Sequence, residues 1–106
     1  MTEENTAAEN WPKGISIGSL PPSGTGKFKI TTKSGTYHIL NYEEQSITRY
    51  PASGHEWHWE KGTSHEDYKP FYYTMIDGIK VGESFTAKTM SGDWRRSSTI
   101  LSIEVI

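Results

Sequence analysis

The chain contains no cysteine, so neither a disulfide framework nor a thiolate metal centre can hold its fold. Aliphatic side chains are scarce too: hydrophobic residues make up only 33% of its 106 positions. No apolar run approaches the roughly 20 residues needed to span a bilayer as a helix. Residues 1–10 are acidic and polar and carry no hydrophobic stretch of the kind found in a secretory signal. No membrane partner is therefore expected, and the cytoplasm is the expected setting. Charge is nearly balanced, at a net -2. Glu3, Glu4 and Glu9 hold three of the 13 acidic groups, which leaves the rest of the chain close to neutral against 11 Lys and Arg. Nucleic-acid binders usually show a clear cationic excess, so nucleic acid is not the expected partner. Helical periodicity is also missing, since no segment repeats its apolar residues at 3.6.

What the chain does have is rings. Four Trp, six Tyr and three Phe offer large burial per residue, enough for a thin β-type core in one small domain. Phe28, Ile30 and Thr32 alternate with Lys27, Lys29, Thr31 and Lys33, the period-2 pattern of a half-buried strand. Ser34-Gly35 then reverses the chain into Thr36-Tyr37-His38-Ile39-Leu40. A two-residue loop sets Thr32 opposite Tyr37 and Ile30 opposite Ile39, with the lysines and His38 on the other face. A three-residue loop would set Ile30 opposite His38, so the shorter one is expected.

Residues 1–13 read as a disordered acidic tail, and 14–106 as one β domain. A weak first strand at 14–18 and a breaker-rich loop at 20–26 precede the hairpin, which runs to about Tyr42. A strand at 46–50 stops at Pro51, and 52–70 is a long loop. The stretch 71–76 reads as a strand, Asp77-Gly78 as a two-residue hairpin turn into 79–81, and 84–89 as another strand. After a turn at Ser91-Gly92-Asp93, residues 99–106 close the chain with Leu101, Ile103 and Val105 on one side. The expected class is all-β, a single small antiparallel barrel or sandwich of six to seven short strands.

PPSGTGK (21–27) invites comparison with a phosphate-binding loop and fails it. Pro21 stands where a glycine is needed, Phe28 where a hydroxyl would hold magnesium, and a strand follows instead of a helix. HEWHWEKGTSHED (55–67) offers His55, His58 and His65, but at no zinc-hydrolase spacing; they read as exposed loop histidines, and no metal is expected. In the same loop Trp57 and Trp59 share parity, so an extended segment shows both indoles on one side. With Arg49 and Tyr68 they could stack on a partner's side chains, although most of the nearby rings are expected in the core. Trp94-Arg95-Arg96, placed on the turn before the last strand, is a second binding candidate weighed against a solvated turn. There is no nucleophile elbow, no carboxylate pair on a recognisable scaffold and no cofactor motif, so an enzyme is not expected.

TTKSGTYHI (31–39), ITRYP (47–51), VGESF (81–85) and SSTILSI (97–103) together resemble short all-β proteins of unknown function from actinobacteria and their bacteriophages. The resemblance spans residues 27–106 and implies an all-β fold and a phage-encoded setting; it implies no activity. The sequence therefore points to a non-catalytic interaction protein that binds a protein partner through Arg49, Trp57, Trp59, Tyr68, Trp94 and Arg95. Two alternatives stand beside it. One is single-stranded nucleic-acid or small-ligand binding on a barrel face; the other is a structural subunit that adds its last strand, 100–106, to a neighbour's sheet.

Overall fold

The computed structural model describes residues 12–52 and 67–106. Eight strands follow one another: β1 (Ser16–Ile17), β2 (Lys27–Thr32), β3 (Tyr37–Asn41), β4 (Ser46–Tyr50), β5 (Pro70–Asp77), β6 (Thr86–Thr89), β7 (Trp94–Arg96) and β8 (Ile100–Val105). They form one antiparallel sheet in the order β1-β8-β2-β3-β4-β5-β6-β7, and no helix occurs among the described residues. The all-β class holds, with eight strands where six to seven were expected. The sheet is not closed into a barrel, because its edge strands β1 and β7 do not pair with each other.

The β2–β3 hairpin corrects the expected register. Ile30 faces His38, Lys29 faces Ile39 and Thr31 faces Tyr37. The cause is the turn. Thr32 N–H donates to Thr36 O at 2.9 Å, Gly35 N–H donates back to Thr32 O at 2.9 Å, and Gly35 takes φ +90°. That is a three-residue loop of Lys33, Ser34 and Gly35 with glycine in the left-handed position. Phe28, Ile30, Thr32, Thr36, His38 and Leu40 are consequently all buried on one face. The polar members find partners there: Thr32 Oγ1 donates to Thr36 O at 2.9 Å, and the His38 ring stands edge-on to Phe85 at 5.0 Å. On the opposite face Tyr37 stacks on Tyr50 at 4.9 Å, with the Lys29 ammonium 4.6 Å from the Tyr37 ring centroid.

The same turn is built again between β6 and β7. Thr89 N–H donates to Asp93 O at 2.7 Å, Gly92 N–H donates to Thr89 O at 2.9 Å, and Gly92 takes φ +98°. Each turn also links its Thr and Ser hydroxyls, at 3.2 Å for Thr32–Ser34 and 2.9 Å for Thr89–Ser91. Both come from the same local sequence, Thr-x-Ser-Gly.

Two bulges reset which residues face inward. β8 slips by one residue against β2, where Thr31 faces Ser102 but Thr32 faces Ile100. Ile100, Ile103 and Val105 are therefore buried while Leu101 is 55% exposed, against the expectation that Leu101 would share their face. β5 slips between Tyr73 and Met75 against β6, so Tyr73 and Ile76 are both buried three positions apart. Asp77-Gly78 is not a two-residue hairpin turn either. Asp77 faces Thr86, and the intervening stretch delivers Ile79 and Phe85 into the core. Nor is the last strand an edge: β8 lies between β1 and β2, and Gly82 N–H and Ile100 N–H add hydrogen bonds of 2.9 and 2.8 Å to Ile100 O and Glu83 O. This removes the basis for adding that strand to a neighbour's sheet.

Tyr42 closes the core near the 20–26 loop, donating its hydroxyl to Pro21 O and meeting Phe28 edge-to-face at 5.7 Å. Burial, then the neighbouring Tyr73, raises the Tyr42 pKa far above the ordinary 10.0, and burial raises that of Tyr73. The fold keeps both phenols protonated at pH values where the unfolded chain ionises. This contribution is thus fully present below about pH 10 and is lost as pH rises toward the raised values. Tyr42→Phe is expected to cost about 1 kcal/mol at neutral pH through the missing hydrogen bond. The variant's urea midpoint should also decline less steeply than the parent's as pH is raised past about 10.

Candidate functional site

The Thr89–Asp93 turn sets the β6–β7 register, with Ala87 opposite Arg95 and Lys88 opposite Trp94. Ala87 is fully buried, so Arg95, on the same face, lies inward and only partly exposed, while Trp94 is 58% exposed. Across the gap, the β3–β4 register places Arg49 opposite His38, on the inward face. A cleft of about 320 Å³ opens between these elements. Trp94, Phe71 and Phe85 supply its rings, Arg49, Arg95, Arg96 and His38 its nitrogen donors, and Thr32, Ser34, Thr36, Ser97 and Ser98 its hydroxyls. Among the described residues, no carboxylate lines it.

Two of its guanidiniums lie beside aspartates. Arg49 Nη1 donates to Asp67 Oδ1 at 2.6 Å, and the two side chains are only 19% and 6% exposed. Arg95 Nη2 lies 3.9 Å from Asp93 Oδ2, and that carboxylate is half-exposed. Of the three guanidiniums, Arg96 is the exposed one. The hydroxyls are mostly engaged with the framework: Ser97 Oγ donates to Ser98 O at 2.7 Å and accepts from Phe85 N–H at 3.0 Å. Ser34 and Ser98 hydroxyls meet at 3.3 Å and join the β2–β3 turn to the segment after β7.

Arg49 is thus structural as well as cleft-lining. Arg49→Met is expected to destabilise the fold by about 3 kcal/mol, since it breaks the ion pair with the buried Asp67 carboxylate from one side. The double variant with Asp67→Asn should recover part of the loss, read as a coupling energy from denaturant midpoints.

Of the six residues expected to bind, the cleft gathers Arg49, Trp94 and Arg95. Trp94-Arg95-Arg96 is the edge strand β7 and not the turn that was expected. Tyr68 does not line the cleft: it is 57% exposed and packs edge-on against Tyr50 at 5.9 Å. Trp57 and Trp59, like His55, His58 and His65, lie outside the described residues. Among the described residues no three His, Asp or Glu converge to hold a metal, and no helix is long and apolar enough to cross a membrane. Sequence reasoning missed His38 and the serine and threonine lining. The repeated Thr-x-Ser-Gly was the available signal, because it fixes the register that turns Thr32, Thr36 and His38 inward. No protein-family model matches the chain, and no curated protein or solved structure matches it significantly.

Proposed function

We propose that this chain is a non-catalytic interaction domain that holds a protein partner at the cleft beside β7, with Trp94, Arg95 and Arg96 as the principal contacts. One observation carries the reading: an exposed indole, partly exposed arginines and an aromatic floor share a single concave site. Trp and Arg are the residues most enriched among binding hot spots. Binding is favoured over catalysis because two of the five cleft hydroxyls, those of Thr32 and Ser97, already donate to the backbone carbonyls of Thr36 and Ser98. Nucleic-acid binding is disfavoured because Arg49 and Arg95 are each matched by an aspartate. The motifs that resemble those of short all-β proteins from actinobacteria and their bacteriophages support a phage-encoded setting as part of this proposal.

Affinity capture with the parent and with folded Trp94→Ala and Arg95→Ala variants tests the assignment. Proteins captured by the parent should be missing from both variants. Equal capture by all three would exclude this site.

A further inference from the structure

FKITTKSGTYH (28–38) and FTAKTMSGDWR (85–95) agree at Phe, Thr, Ser and Gly. They also set an aliphatic residue, an aromatic ring and a nitrogen-bearing side chain at matching places. The agreement extends to the structure. Phe28 and Phe85 are both buried, as are Ile30 and Ala87, and Thr32 and Thr89. The register is shared, with Thr31 opposite Tyr37 in the first hairpin and Lys88 opposite Trp94 in the second. Trp94 thus occupies the place of Tyr37. The two rings differ in what surrounds them. Tyr37 stacks on Tyr50 of β4, with centroids 4.9 Å apart and planes 14° from parallel. The Lys29 ammonium comes from β2 on its other side, at 4.6 Å. Trp94 takes the Lys88 ammonium of β6 at 5.8 Å, and the residue remains 58% exposed. The first hairpin therefore shows what completes such a ring: a second ring laid nearly parallel to it, away from the cation.

Resting on the proposed cleft-binding function, we infer that Trp94 is the receptor for an aromatic side chain of the partner. That side chain, a Tyr, Phe or Trp, stacks on the indole as Tyr50 stacks on Tyr37. Ring chemistry favours this occupant over an aliphatic one. Offset parallel rings gain stabilisation beyond the area they bury, and an indole face accepts a cation on one side and a ring on the other. An aromatic side chain is also stiff, so fixing it against Trp94 costs little conformational entropy for a large contact. Hot spots on one partner tend to meet hot spots on the other, which suits a ring opposite a tryptophan. Because Trp94 lines the cleft, the stacked ring anchors the partner at that wall.

The test is selection from a displayed random-decapeptide library on the full chain, followed by NMR with the synthesised winners. Enriched peptides should carry an aromatic residue whose ring protons give NOE contacts to the Trp94 indole. Changing that residue to Leu keeps apolar bulk and removes the stack. It should weaken binding about fivefold, the scale of an aromatic pair beyond its burial. Trp94→Leu should weaken binding to the same extent, whereas Trp94→Phe, which keeps a ring, should retain most of the affinity. The peptide change leaves the domain untouched, so it decides the matter even if a variant folds poorly. Winners that shift cleft resonances without a ring on Trp94, or that lose nothing on the change to Leu, overturn the stacking and leave the cleft assignment standing. A selection whose winners shift no cleft resonance, or that enriches nothing, overturns both.

Discussion

Trp94→Ala is expected to weaken partner binding about thirtyfold or more while barely moving the unfolding midpoint. Both halves follow from where the indole sits. It is 58% exposed on an outer strand, with its ring 5.8 Å from the Lys88 ammonium, so its loss opens no cavity in the core. Exposed substitutions of this kind usually stay within about 0.5 kcal/mol in stability. At a binding surface the balance reverses, because truncating a tryptophan hot spot costs about 2 kcal/mol or more, which is the thirtyfold. Isothermal titration calorimetry against the captured partner, beside thermal melts of both proteins, separates the two terms. A variant that binds as tightly as the parent would remove Trp94 from the site.

Phe28→Ala should produce the largest loss of stability, about 3–5 kcal/mol. Phe28 is 1% exposed on β2, between Leu40 of β3 and Val105 of β8, and it meets Tyr42 edge-to-face. Removing the ring subtracts its transfer free energy and leaves a hollow where three strands converge. Set against a typical total of about 5–15 kcal/mol, the loss brings the domain near the margin of folding. Met75→Ala is the control, since Met75 is 55% exposed on β5 and should cost under about 0.5 kcal/mol. Urea midpoints for the pair measure the contrast, and similar values would mean that the β2 face is not the centre of the core.

Much of the strand content was legible because alternation is a local signal. β2, β3 and β4, much of β5 and β6, and most of β8 lie where period-2 patterning placed strands. Register was less legible. The apolar match between Ile30 and Ile39 argued for a short loop, yet turn chemistry prevailed, and His38 is accommodated by an edge-on contact with Phe85. Bulges defeat alternation in the same way: one added residue in β8 turns Ile100 inward and Leu101 outward, and no feature of ILSIEV announces it. Of the site, Trp94, Arg95 and Arg49 stood out by residue type alone. The hydroxyls and His38 did not, because their convergence depends on long-range pairing between segments more than fifty residues apart.

The neighbourhood of β8 also governs how the protein can be made. Phe28 pairs with Val105, and Ile30 with Ile103. On a ribosome, β2 emerges long before the strand that must cover one of its sides. Until then the nascent segment 27–41 holds an incomplete ladder with Phe28 and Ile30 accessible to chaperones or to other chains. Such distant pairing slows the final closure.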